Sequence, residues 1–266
     1  MRRTEKRRSP VVVFGTVLAA FIYGVTVGHY GIFPFKSLKV AKAALTGTVS
    51  HAAARPLTHD RRVNIRNRAA IQREFNSPAD IVMVGDSITD YAEWSDIFPG
   101  ISISNRGIAG DTTKGVLARL DTVIATGATK ALIMVGVNDI DSGVPAETVF
   151  ADYRKIVETL QANGIRPYIQ STTMLGDARK DQNVEINKLN NMLKRFAKRQ
   201  DLQFIDLNAK LASNGVLEER FTSDSIHLNA AGYREWKALI EPIIVRRAAT
   251  RHPDVQVGNA ESKPSQ

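Results

Sequence analysis

Apolar and polar positions alternate between two kinds of pattern along the chain. Asp80 to Gly85 and Lys130 to Gly136 are short apolar runs that stop at glycine, the pattern of strands buried on both faces. Ile165–Gln170, Leu202–Leu207 and the shorter Ile101–Ser104 read as further strands. Between them the period lengthens. In 146–162, Val149, Phe150, Tyr153, Ile156, Val157 and Leu160 recur at helical spacing, and Gly164 closes the run. In 183–199, Val184, Ile186, Leu189, Met192, Leu193 and Phe196 share one broad face, and 113–126 and 229–246 complete the helices. Alternating strands and helices predict parallel βαβ units, hence a three-layer α/β/α sandwich around a five-stranded parallel sheet. In such sheets the ligand lies beyond the carboxyl ends of the strands, where strand order reverses. Gly85 and Gly136 therefore point Asp86-Ser87 and Val137-Asn138-Asp139 toward the expected site.

The first residues follow neither pattern. Arg2, Arg3, Lys6, Arg7 and Arg8 precede an uncharged apolar run of eighteen residues, Val11 to Gly28. That length is at the threshold for crossing a bilayer. The basic flank favours the cytoplasm, which places the rest of the chain outside, in the periplasm if the source is Gram-negative. The reading is a basic tail at 1–9, a single-pass signal anchor at 10–33, a linker at 34–62, a catalytic domain at 63–248 and a disordered tail at 249–266. A signal peptide cleaved after the run, with secretion, is the alternative; the end of the run offers only Thr26-x-Gly28 as a small-x-small site.

Charge and composition narrow the chemistry. The net charge is +9, but eight basic residues against one acid in residues 1–50 account for seven of those charges, so residues 51–266 carry two. The basic cluster from Arg55 to Arg73 lacks interleaved aromatics and reads as a solvated linker and helix face, so no nucleic-acid partner is expected. There is no cysteine, which excludes disulfides, thiolate metal sites and a thiol nucleophile.

Ser87 lies between a strand and a helix, where its backbone N–H meets the orphan donors of a helix N-terminus. A hydroxyl needs a base to become a nucleophile. Of five histidines, only His227 lies inside the folded segment, and Asp224 precedes it by three residues. An oxyanion then needs donors. Asn105-Arg-Gly-Ile-Ala-Gly-Asp111 supplies glycines that expose backbone N–H groups, and Asn138 supplies a side-chain amide. Each piece has a plain reading as well: Ser87 as a helix cap, His227 as a loop histidine, the glycine stretch as a turn, and Asn138 as a cap.

Taken in order, the blocks Gly85-Asp86-Ser87-Ile88-Thr89, Asn105 to Asp111, Gly136-Val137-Asn138-Asp139 and Asp224-Ser225-Ile226-His227 resemble those of the SGNH hydrolases, also called the GDSL lipase/esterase family. The resemblance covers about residues 65–245 and departs at none of the four named letters. It implies a flavodoxin-like sheet and ester hydrolysis without metal or other cofactor. It also implies a triad of Ser87, His227 and Asp224, with an oxyanion hole from Ser87, Gly110 and Asn138. Asp86 is left to local hydrogen bonding.

The form of the blocks looks most similar to the platelet-activating-factor acetylhydrolase-like and carbohydrate acetylesterase branches. That points to a short acyl group on a small-molecule or polysaccharide substrate. An acyltransferase to a sugar hydroxyl and a lysophospholipase would use the same residues. An inactive membrane-tethered carbohydrate-binding module is the non-enzymatic alternative. Oligomeric state is not legible.

Overall fold

The computed structural model describes residues 55–245. The expected basic tail, the anchor at 10–33 and the tail at 249–266 lie outside them. Among the described residues no helix is long and apolar enough to cross a membrane.

The described residues begin with α1 (His59–Glu74), β1 (Ile81–Gly85), α2 (Ser87–Asp90), α3 (Trp94–Ile97) and β2 (Ile103–Gly107). It continues through α4 (Thr113–Ala118), α5 (Leu120–Ile124), β3 (Lys130–Met134), α6 (Val137–Asp141), α7 (Ala146–Ala162) and β4 (Arg166–Gln170). A 3₁₀ turn (Asp177–Gln182) leads into α8 (Asn183–Arg199), β5 (Phe204–Ile205) and α9 (Asn208–Leu211). The hairpin β6 (Ala212–Ser213) and β7 (Val216–Leu217), a second 3₁₀ turn (Glu219–Phe221) and α10 (Ala230–Ile244) complete it.

Five strands form one parallel sheet in the order β2-β1-β3-β4-β5. Every residue of β1 is buried, so both faces of the sheet are covered and the fold is an α/β sandwich. The chain moves outward from β1 to β2, then crosses back to β3 on the other side of β1. That reversal opens a crevice beyond the carboxyl ends of β1 and β3. Residues 86–90 and 137–141 leave the sheet there.

The core follows from the apolar pattern. Ile81, Val82, Met83, Val84, Leu132, Ile133 and Met134 pack at the sheet centre, each at most 2% exposed. On α8, Ile186, Leu189, Leu193 and Phe196 face inward, as their spacing predicts. Val184, assigned to the same face, is instead exposed, because it sits in the first turn of α8.

Several expected elements differ in detail. The stretch 113–126 is two short helices, α4 and α5, meeting at Arg119 (φ −124°, ψ 21°). That residue leaves helical geometry to carry its guanidinium into the interior. β2 runs through Asn105, Arg106 and Gly107 rather than ending at Ser104, because pairing with β1 extends to Gly85↔Gly107. Glycine and asparagine have low strand propensity, and tertiary pairing overrides it. β5 has two residues where six were expected, and the loop at 212–223 contains the β6–β7 hairpin. Helix α1 starts at His59, inside the stretch read as linker; within the basic cluster read as solvated, Arg61 reaches the Gly110 carbonyl of the loop after β2, while Arg68 remains 44% exposed and bonds Asp90 Oδ1 at the end of α2.

Candidate active site

Gly85 ends β1 wedged between the Thr89 side chain and the backbone of β3. A Cβ there would lie 2.1 Å from Thr89 Oγ1 and 2.3 Å from the Met134 carbonyl, so only glycine allows the turn into α2. Asp86 caps that helix: its Oδ1 accepts the Ile88 N–H at 3.0 Å. Ser87 is thereby fixed at the first helical position and is 6% exposed.

The Ser87 hydroxyl lies 2.9 Å from His227 Nε2. On the other side of the ring, His227 Nδ1 lies 2.6 Å from Asp224 Oδ2. A carboxylate only accepts, so Nδ1 carries the proton and the Nε2 lone pair faces Ser87. Asp224 Oδ1 also accepts the backbone N–H groups of His227 (2.8 Å) and Ile226 (3.0 Å). One carboxylate thus fixes both the imidazole and the loop that bears it.

Partial burial opposes ionisation of Asp224, but the His227 ring, the two backbone N–H groups and the His227 charge outweigh it and hold its pKa at about 2. The Asp224 side chain is 51% exposed and that of His227 31%. The imidazole therefore stands on the solvent side of the buried Ser87. Tyr91, which follows α2 and is 56% exposed, sets its ring 5.2 Å from the imidazole at a 40° tilt.

The second group of expected residues is built on the loop after β2. Gly110 has φ +83°, a conformation that favours glycine. Its N–H and that of Ser87 donate to no acceptor among the described residues. Asn138 donates one amide hydrogen to the Asp111 carbonyl at 2.8 Å, which leaves the second free to donate. The loop itself is held by Asn105, whose amide lies within 3.2 Å of the Thr89, Asp90 and Ala92 carbonyls and whose Oδ1 accepts the Gly107 N–H.

Two further connections join the loop to the turn that carries Ser87. Asp90 Oδ2 accepts the Ala109 N–H at 3.0 Å. Arg119 donates to Asp111 Oδ2 at 2.7 Å and to the Gly85 carbonyl at 3.1 Å. The Arg119–Asp111 pair is almost wholly buried, at 2% and 0% exposure.

Three buried carboxylates lie under the crevice. Burial pushes Asp86 up to about 7, assisted by the charges of Asp111 and Asp139 and opposed chiefly by the Ile88 N–H. Burial raises Asp139 to about 6 against two hydrogen bonds from Thr113. Burial also raises Asp111, opposed by Arg119. Among the described residues no group of three or more His, Asp or Glu side chains is gathered as a metal site.

Sequence reasoning named Ser87, His227, Asp224, Gly110 and Asn138, and left out Asp90, Tyr91, Arg119 and the residues of α1. Asp90 and Tyr91 were legible only as neighbours of Ser87. Arg119 sat inside an unbroken helical pattern.

The chain is similar in sequence and fold to known proteins. Residues 83–235 match the GDSL-like Lipase/Acylhydrolase family. Platelet-activating factor acetylhydrolase IB subunit alpha2 from Rattus norvegicus is 27% identical over 193 residues, covering 70% of this chain and 84% of that protein. N-acylneuraminate cytidylyltransferase from Streptococcus agalactiae is 27% identical over 155 residues, 58% of this chain. The match covers 36% of that protein, so the chain spans about a third of the first curated relatives it matches. A solved structure of a putative acylhydrolase from Bacteroides fragilis superposes with a TM-score of 0.60 at 26% identity, covering 68% of this chain and 95% of that one. With the family match spanning more than half its length, the chain belongs to the GDSL-like lipase/acylhydrolase (SGNH) family.

Proposed function

We propose that the protein is a serine esterase that removes a short acyl group, acetyl foremost, from a carbohydrate or related alcohol. Ser87 is the nucleophile, His227 the base, and Asp224 the carboxylate that orients it. The observation that carries this reading is the hydrogen-bonded line from Ser87 Oγ through His227 to Asp224, at 2.9 and 2.6 Å. His227 Nε2 takes the hydroxyl proton as Ser87 Oγ bonds to the ester carbonyl carbon. The resulting oxyanion is received by the N–H groups of Ser87 and Gly110 and by the Asn138 amide. Collapse breaks the carbon–oxygen bond to the alcohol, which leaves with the proton from His227. Water, deprotonated by His227, then attacks the acyl-enzyme and releases the carboxylate and free Ser87.

Two observations support the substrate class. A relative that matches over 70% of this chain is by name an acetylhydrolase. The exposed Tyr91 ring beside His227 gives the alcohol side of the site an aromatic face, against which a sugar ring can pack.

Ser87→Ala should lower kcat on p-nitrophenyl acetate by about 10³-fold or more with the thermal transition unchanged. An organophosphonate should label Ser87 in the parent alone. Full activity in the variant would remove Ser87 from the reaction. An acyl-chain series should fall off beyond acetyl and propionyl; a maximum at long chains would replace the acetyl reading with a lipase one.

A further inference from the structure

The peptide that carries the Gly110 N–H is held from outside the family-matched segment. Helix α1 lies before residue 83, where the family match begins. One polar stripe of this helix reaches the loop after β2. Asn64 Nδ2 donates to the Ala109 carbonyl at 3.0 Å, and Arg61 Nε donates to the Gly110 carbonyl at 2.5 Å. Arg68 donates to Asp90 Oδ1 at 2.8 Å, and Asp90 Oδ2 accepts the Ala109 N–H. Residues 61, 64 and 68 are spaced by three and four, so they share one face of the helix.

The geometry of a trans peptide gives these bonds a specific effect. The carbonyl and the N–H of one peptide unit point in opposite directions across a rigid plane. The Ala109 carbonyl and the Gly110 N–H belong to the same unit. Holding that carbonyl on Asn64 therefore aims the Gly110 N–H away from α1. Arg61 fixes the next unit by its carbonyl, so the glycine is held on both sides. Gly110 needs this, because a glycine populates either sign of φ with little penalty and its flanking peptides turn easily. A Cβ at Gly110 would also meet Cγ and Nε of Arg61 at 2.7 Å, so the Arg61 side chain packs directly on the glycine.

We infer that α1 is a brace for the oxyanion loop, with Asn64 and Arg61 as positioning residues that aim the Gly110 N–H. The inference rests on the proposal that this N–H receives the oxyanion. A preorganised donor is effective because it is already aimed when charge develops. Releasing the brace leaves substrate binding intact and weakens transition-state stabilisation alone. The expected signature is a lower kcat at constant KM.

The test compares Asn64→Ala, Asn64→Asp, Arg61→Ala and Arg61→Lys in the full chain, with Asn67→Ala as an exposed control on the same helix. Complete loss of one oxyanion donor costs roughly 10²–10³ in kcat, so mis-aiming one should cost about 5- to 30-fold. We expect that loss for Asn64→Ala, Asn64→Asp and Arg61→Ala on p-nitrophenyl acetate. KM should stay within about twofold, Arg61→Lys should recover part of the rate, and Asn67→Ala should match the parent. If Arg61→Ala fails to fold, the surface substitution Asn64→Asp decides the matter, since it is close to isosteric and lacks the donor.

Unchanged kcat in the Asn64 variants, with Asn138→Ala impaired, would overturn the brace and leave the oxyanion reading standing. Unchanged kcat in Asn138→Ala as well would remove the oxyanion reading itself. A raised KM at constant kcat would make Asn64 and Arg61 substrate contacts and overturn their positioning role.

Discussion

Asn138 donates to the carbonyl of Asp111, the residue that follows Gly110, at 2.8 Å. The two donors proposed for the oxyanion outside the Ser87 turn, Gly110 and Asn138, are therefore one linked assembly. Asn138→Ala should lower kcat by roughly 10²–10³ with little change in KM. Steady-state kinetics on p-nitrophenyl acetate checks this, and a loss confined to KM would make Asn138 a substrate-binding residue.

Asp86 gives the protein an unusual acid-side stability. Its folded pKa is about 7 against an ordinary 3.8, so between those values the folded chain holds a proton that the unfolded chain has lost. The contribution is fully present below about pH 4 and is lost as pH rises through about 7. Asp139, raised to about 6, acts in the same direction. Asp86→Asn is neutral at every pH and keeps an acceptor for the Ile88 N–H. Thermal melts across this window should fall less steeply with pH in the variant than in the parent. Parallel curves would show that Asp86 carries its charge in the fold.

The Arg119–Asp111 pair is buried, and removing only one partner strands the other. Arg119→Met should destabilise the fold by about 3–5 kcal/mol in urea titrations. Arg119→Met combined with Asp111→Asn should recover part of that loss, because no buried charge is left behind. Additive losses would mean the two residues are not coupled.

The N-terminal segment at 10–33 remains a proposal about placement. The full chain should stay with membranes after a carbonate wash, and a form starting near residue 50 should be soluble and active. N-terminal sequencing of the mature protein separates anchor from signal peptide. A mature start near His29 would replace the anchor with cleavage, and recovery of the intact chain in the cytosol would overturn export altogether.

The elements legible in the sequence were those whose burial is periodic. Helices α7 and α8 occupy 146–162 and 183–199, the spans their apolar spacing marks out. β1 and β3 stand where apolar runs meet Gly85 and Gly136. Elements were missed where long-range contacts override local pattern. β2 continues through Asn105 to Gly107 because β1 pairs with it, and α4 and α5 separate because Arg119 finds Asp111 in the interior. At the candidate site, residues that carry chemical groups were legible from type and spacing. Those that hold them were not, because nothing local distinguishes Asp90, Arg119 or Asn64 from a solvated polar residue. Arg61 is hidden for the same reason: a basic helix face has the same appearance whether its side chains meet water or, as Arg61 does, a backbone carbonyl.

The position of α1 bears on where this enzyme can be cut. All four sequence blocks fall within 85–227, and a fragment trimmed to the family match would keep every one of them. It would also lose Arg61, Asn64 and Arg68, and with them three side chains that fasten the loop carrying Gly110 and the aspartate behind Ser87. On the inferred brace, a fully active unit reaches back to at least His59, and a domain boundary drawn from motifs alone would yield a chain with its chemical groups complete and its scaffolding missing.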